Sequence, residues 1–575
     1  MSITRGVFLL GLVAAPIFGQ LTLDQKMSDF QAVAGLYAKQ YGPYQWKVDA
    51  LHYDLLNIQP WLDQIAATKN DLDFYEVMSK YVASLNDAHD SYSLPANFVA
   101  NLNFTVDIYD GKLLVDSINR SRLPVAEFQF LNGHELVSID GQDAQKLLDG
   151  LMQYEIAANP RSTRRLAAAL LTTRPQVRMP HAADVPEIST VVFREPDGTL
   201  STYRIPWTKS GLLLTSVGRY TTPHAALGGD VGADDDQSTA PDAPAPAPSP
   251  DSYMQVLRQL WNCRLPDKAV NGFGAQTPIF SPSLLPGFEQ RLGKTSSDFF
   301  FSGVFAANGH KIGFIRIPNY EPADEVAALT AFATEIAYFQ ANTDGLVIDE
   351  MRNPGGDVAF VNAIVSYLIP TPWDSIPFEV RANSGWVVDV SSAYESAKAQ
   401  GAPQVILDLL QQLKDAITTA NSQMRGMTVP IPLDDFTITR APATDSKGNV
   451  VAYTRPLIVL VDELSASGAD YFPATIQDNQ RGPLVGWRTM GAGGSVTGWE
   501  AGTYSLGTTT VTQSLMHRKT LVVTSDYPST HYVENVGVRP EIQVDYMTYD
   551  NLVQSGRPFV NAFISAIVGQ IEKGK

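Results

Sequence analysis

Along this chain the spacing of apolar residues changes period several times, and each change marks a new segment. From Leu23 to about Leu94 apolar residues recur at three- and four-residue steps, as Phe74, Val77, Met78, Tyr81 and Leu85 do, which predicts amphipathic helices. Between Phe98 and Trp207 the text alternates and becomes β-rich. There residues 135–139 predict a strand, Asp140-Gly141 a turn, and a helix follows from about Ala144. From about Phe299 strand and helix patterns take turns: a strand at 311–317, a helix at 323–340, and a strand at 344–351 whose continuous apolar core reads as buried on both faces. The turn "RNPGGD" then leads into the helical "VAFVNAIVSYLI". After a less regular insertion at 370–454 the pattern resumes with the strand "PLIVLVDE", the small polar turn "LSASG" and the helix "GADYFPATIQDN". A strand "GPLVGWR", a Gly-rich loop "GAGGSV", a hairpin-like "TTTVTQSLMHRKTLVVTSD" and a final helical stretch at 551–571 follow. Alternating β and α with apolar strands predicts an α/β domain built on a mainly parallel sheet. Ligands of such sheets bind beyond the carboxyl ends of the strands, where both "RNPGGD" and "LSASGAD" fall.

Composition narrows the function. A chain of 575 residues exceeds one ordinary core, so several domains are expected. A net charge of -18 offers no basic field to attract phosphates, which argues against a nucleic-acid partner. The N-terminus carries Arg5, an apolar run from Gly6 to Phe18, and Gly19 where cleavage would fall, the pattern of a secretory signal peptide. No later stretch is apolar for long enough to span a membrane. Cys263 is the only cysteine, so an intrachain disulfide and a thiolate metal cluster are excluded. The stretch from Gly228 to Asp251, rich in Gly, Asp, Ala and Pro, reads as a flexible, solvated acidic insertion. The expected organisation is a signal peptide at 1–19, a helical region at 20–97, a β-rich domain at 98–207, and a connecting region at 208–298 holding the insertion at 228–251. The α/β domain at 299–546 and a C-terminal helix at 547–575 complete it.

Chemistry centres on the two turns. A serine at a helix start lies near unpaired backbone N–H groups that can receive an oxyanion, although capping the helix is the commoner task for Ser465 or Ser467. Asn353 to Gly356 read singly as a tight turn; beside the serine turn they could add further N–H donors. A serine nucleophile needs a base. His89, in the polar "LNDAHDSY" at a helix end, and His531, in "STHYVENVG", compete for that role, whereas His517 in the turn-like "MHRK" is expected to face solvent.

The blocks "GLVIDEMRNPGGD" (345–357) and "PLIVLVDELSASGADYFPATIQDNQRGPLVGWRTMGAGG" (456–494) resemble the tail-specific, or C-terminal-processing, serine peptidases. "LVSIDGQDA" is similar to the end of a PDZ-type domain, here degenerate. The resemblance implies a crotonase-like catalytic domain, with Ser467 as nucleophile and the N–H groups of Gly355 or Gly356 and of Gly468 as oxyanion donors. It also implies that Asp478 has a supporting role. One departure is informative. Where those peptidases place a lysine base this chain has Ala492, and no lysine lies between Lys447 and Lys519. The tricorn-type branch, and the secreted protease-like activity factors, use histidine and glutamate instead. "LNDAH" matches their histidine stretch at His89, and "VENVGVRPEI" their glutamate at Glu534. The implied enzyme is an exported serine endopeptidase with a Ser467–His89–Glu534 triad, protein or peptide substrates, and no metal or cofactor. Tricorn-type relatives are often oligomeric, which makes a homodimer an expectation. The alternative is a non-catalytic protein that binds an apolar ligand or a peptide on the same fold.

Overall fold

Seven strands form the central sheet, in the order Glu289–Leu292, Phe301–Ala307, His310–Arg316, Gly345–Asp349, Leu457–Val461, Leu484–Gly486 and Ile542–Gln543. The first three pair antiparallel and the rest parallel, so the expected mainly parallel sheet is present with an antiparallel edge. The computed structural model describes residues 20–215, 252–265 and 272–574; the expected signal peptide at 1–19 and insertion at 228–251 lie outside the described residues.

The apolar strands are buried on both faces. Val347, Ile458 and Leu460 pack against Phe559, Phe563 and Ile567 of the helix Arg557–Lys573. Their neighbours Leu346, Ile348, Val459 and Val461 face Phe332, Ile336 and Phe472 from the helices Glu325–Asn342 and Gly468–Asp478. This explains the unbroken runs "GLVID" and "LIVLV", since a strand covered by helices on both sides has no polar face to alternate with.

Before the sheet come the four helices Leu23–Gln40, Tyr44–Leu51, Gln59–Ala66 and Asp71–Ala83, the first closed by a capping box between Thr22 and Gln25. The β-rich domain carries Phe104–Tyr109, Lys112–Ile118, Glu135–Ile139, Ile188–Arg194 and Leu200–Pro206 in one sheet. Its helix Pro160–Ala169 lays Arg165 between Asp107 (2.6 Å) and Glu463 (3.1 Å), and so locks this domain to the chain just before the serine turn.

Five expectations are corrected. The insertion at 370–454 is not irregular: Ser384–Ala399 and Gln404–Ser422 form two packed helices, and serines and alanines at contact positions such as Ala393, Ser396 and Ala397 blur the apolar stripe of the first. The hairpin-like stretch is no hairpin. Thr508–Thr512 pairs with Val496–Glu500, whereas Ser514–Val522 pairs with Phe378–Val380. Between them Gln513 turns the chain from one sheet to the other, its N–H donating to the Ser495 carbonyl at 2.9 Å. The C-terminal helix is two helices, Tyr549–Val553 and Arg557–Lys573, because Ser555 and Gly556 have φ of 56° and 93° and a Cβ at Gly556 would collide with Phe280. The central sheet begins at Glu289, inside the expected connecting region, which also holds the helix Ser252–Trp261 and the strand Asn262–Arg264. His517 is not in an exposed turn but within the strand Ser514–Val522, half-buried, 2.7 Å from Glu379 and stacked on His531.

Candidate active site

Both turns at the carboxyl ends of adjacent strands meet in space. Asn353 ties them together: its side-chain amide donates to the Ile317 carbonyl (3.0 Å), its Oδ1 accepts the Gly355 N–H (2.8 Å), and its carbonyl accepts the Ala466 N–H (2.9 Å). A Cβ on Gly355 would collide with the Cys263 carbonyl, and one on Gly356 with the backbone at Tyr320, so only glycine fits this close approach. The Gly356 nitrogen lies 2.9 Å from where a Cβ on Gly468 would be, which brings the predicted donor positions side by side. Of the three, the Gly355 N–H is taken by Asn353, and Gly356 is paired with Cys263 of the strand Asn262–Arg264; once that strand leaves, Gly356 and Gly468 are the better placed donors.

Ser467 has φ 63° and ψ -110°, a conformation that costs a non-glycine residue about 1–3 kcal/mol. Asp470 holds it there. Its carboxylate accepts the N–H groups of Ser467 (2.8 Å), Gly491 (2.9 Å) and Ala492 (2.9 Å), together with the Thr489 hydroxyl. Burial nonetheless pushes the Asp470 carboxyl up to about 6. Ser465 does a different job, donating to the Glu350 carbonyl (3.0 Å) and accepting the Asp462 N–H (3.1 Å), and so stitches the two strand ends.

His89 reaches this turn from the other end of the chain. Its Nε2 lies 2.6 Å from the Ser467 Oγ, and both residues are fully buried. The Asp87 carboxylate accepts the His89 backbone N–H at 3.0 Å and stands 4.0 Å from its Nδ1. Glu534 is buried beside them, but it pairs with Lys47 Nζ at 2.5 Å and accepts the Gly493 N–H at 2.9 Å. Lys47, itself fully buried, also donates to the carbonyl of Asn86 (2.9 Å) and to Asn535 Oδ1 (2.7 Å). Burial, then the neighbouring Asp87, raises the Glu534 carboxyl, with Lys47 pulling it back; Asp90 is raised by the same two causes. Asp90 and Glu534 thus share the single ammonium of Lys47, which holds both carboxyls back from a larger rise.

The rival base His531 gives its Nδ1 to the Arg518 carbonyl (2.8 Å). Asp478 pairs with Arg518 at 2.5 Å. Sequence reasoning missed Lys47 and Asp470, and it missed Asp87 although that residue is the middle letter of the quoted "LNDAH". It also missed a strand that closes the site. Asn262–Arg264 runs antiparallel to Gly355–Asp357, with Cys263 opposite Gly356. The Cys263 thiol, pushed up by burial, meets the Gly494 carbonyl at 3.3 Å and the Ser467 side chain.

At the foot of the site Glu350 is buried, with Oε2 accepting the Tyr320 hydroxyl (2.7 Å) and Oε1 meeting no partner among the described residues. Burial raises its carboxyl well above the ordinary 4.5. The unfolded chain therefore releases this proton first, and the stability that Glu350 contributes falls as pH rises above 4.5. Glu350→Gln, which keeps the Tyr320 hydrogen bond and cannot ionise, is expected to gain stability over wild type by about 1.4 kcal/mol per pH unit from there upward. Urea unfolding at pH 5, 6 and 7 would check this; a difference that is flat or shrinks with pH would refute it.

Residues 311–544 match peptidase family S41, and residues 99–213 match a PDZ domain. A protein of Chlamydia trachomatis serovar D is 26% identical over 94% of this chain and 92% of its own length. The carboxyl-terminal-processing protease of a Synechocystis strain is 32% identical over 107 residues, 18% of this chain and 25% of that protein. The fold is that of mature CPAF, with a TM-score of 0.72 at 22% identity over 96% of this chain and 98% of that one. From the turns, the serine and these relatives together, the chain is a serine-type peptidase that carries a peptidase family S41 domain and a PDZ domain.

Proposed function

We propose that this peptidase is an exported endopeptidase that works through an acyl-enzyme on Ser467. The observation that carries the reading is the 2.6 Å contact between His89 Nε2 and Ser467 Oγ. His89 takes the hydroxyl proton as Oγ adds to a peptide carbonyl, and the oxyanion turns toward the N–H groups of Gly356 and Gly468. His89⁺ then protonates the leaving amine, and a water, activated by the same imidazole, releases the acyl group. Glu534 and Asp87 supply the negative charge behind the imidazolium, and Lys47 keeps Glu534 from moving. Ser467 is reached only when Asn262–Arg264 leaves Gly355–Asp357, so turnover requires that strand to be displaced. Export through residues 1–19, protein or peptide substrates and a homodimer belong to the same reading.

A fluorophosphonate probe tests it. Peptide mapping should find the adduct on Ser467, with labelling rising after limited proteolysis near residues 252–265. No adduct on Ser467 under either condition would end the acyl-enzyme reading.

A further inference from the structure

The seat occupied by Asn262–Arg264 has walls of unequal charge. Tyr320 and Asp357 exchange backbone hydrogen bonds around Gly355 and Gly356: the Tyr320 N–H donates to the Gly355 carbonyl (2.8 Å) and the Asp357 N–H to the Tyr320 carbonyl (3.0 Å). This pins Glu321 beside the glycine turn. Glu321, Asp324, Glu325 and Asp357 line a cleft of about 970 Å³ that also takes in Asn262 and Arg264. The segment lying across it, residues 252–265, brings Arg258 and Arg264 and not one acid. Arg264 Nη1 stands 2.8 Å from Glu321 Oε2. Even so, four acids, Glu321, Asp324, Glu325 and Asp357, face only the two arginines Arg258 and Arg264, and beyond the effect of burial the acids raise one another, Glu321 acting on Glu325 and Glu325 on Asp357. On the far side the strand Val496–Glu500 is the edge of its sheet, and its Val496 carbonyl accepts the Asn262 side-chain amide (3.1 Å). A peptide backbone thus lies along the glycine turn as an added strand, with a cation on the acidic wall and its Cys263 against the Ser467 side chain.

We infer that this wall sets substrate specificity. Resting on the peptidase reading, the inference is that a substrate replaces Asn262–Arg264 as a strand antiparallel to Gly355–Asp357. Glu321, backed by Glu325, then selects an arginine or lysine at the position Arg264 takes. An acidic side chain there meets like charge, which gives discrimination by repulsion as well as by attraction. The expected preference of a basic over a glutamate side chain is about tenfold or more in kcat/KM.

The sole cysteine reports on the seat without any catalysis. In the full chain, maleimide labelling of Cys263 should be slow. Arg264→Glu should speed it about tenfold, and adding Glu321→Arg should slow it again toward wild type. The peptide acetyl-Leu-Trp-Asn-Ala-Arg-Leu-amide should speed wild-type labelling, and the version with glutamate in place of arginine should not. Equal labelling with the two peptides, or an Arg264→Glu rate equal to wild type, overturns the inference. So does Ser467-dependent cleavage of a peptide library that shows no basic preference at any position, an outcome that leaves the peptidase reading standing. Loss of all Ser467-dependent turnover would instead overturn the peptidase reading, and the labelling results would still decide whether the wall recognises a cation.

Discussion

Ser467→Ala and His89→Ala should each lower kcat/KM on an unfolded protein substrate by about 10⁶-fold, and the double variant should be no worse than either single. The non-additivity follows from geometry. With Nε2 and Oγ 2.6 Å apart the two act as one unit, so removing either removes proton transfer and nucleophilic attack together. Glu534→Gln should cost less, about 10⁴-fold, because it leaves attacker and base in place and removes only charge behind the imidazolium. The assay is steady-state turnover after the Asn262–Arg264 strand has been released, with unfolding midpoints measured alongside to show that Ser467→Ala remains folded. If His89→Ala kept activity and His531→Ala lost it, the base would be misassigned.

Lys47→Met should be the most destabilising single change near the site. The ammonium makes three hydrogen bonds, to Glu534, Asn535 and Asn86, in a pocket where Asp87 and Asp90 are also buried. Removing it strands an uncompensated carboxylate, at a cost of about 3–5 kcal/mol. Urea unfolding should show this as a lower midpoint at unchanged slope. Adding Glu534→Gln to Lys47→Met should recover much of the stability while activity stays low, which separates a structural ion pair from the catalytic charge. A Lys47→Met protein as stable as wild type would show that the pair contributes nothing net.

What could be read from the sequence depended on whether local pattern or distant packing decided each feature. Strands such as Gly345–Asp349 and Leu457–Val461 were legible because burial on both faces leaves an unbroken apolar run. The glycine and serine turns were legible because the sheet directs its site to the strand ends. His89 was found through a family motif. Lys47 left no trace, since its helix of eight residues reads as an ordinary amphipathic segment and only the fold buries the lysine. The strand Asn262–Arg264 was equally silent: Asn-Cys-Arg has no β alternation, and its pairing with Gly355–Asp357 is entirely non-local. Ser467 does stand at the N-cap of its helix, as a helix-start serine is expected to; its positive φ, held by Asp470, is a tertiary fact that no local propensity announces.

The assembly of the site from both ends of the chain has a consequence for its timing during synthesis. His89 and Ser467 are 378 residues apart, and Lys47 and Glu534 are 487 apart. At about 5–20 residues per second, a ribosome needs roughly 20–75 s after making the histidine before it makes the serine, and still longer before the glutamate follows. Throughout that interval the nascent chain carries a base with nothing to activate. On the proposed Ser467–His89 mechanism, the order of residues would therefore act as a clock, with no competent pair until most of the polypeptide has been made.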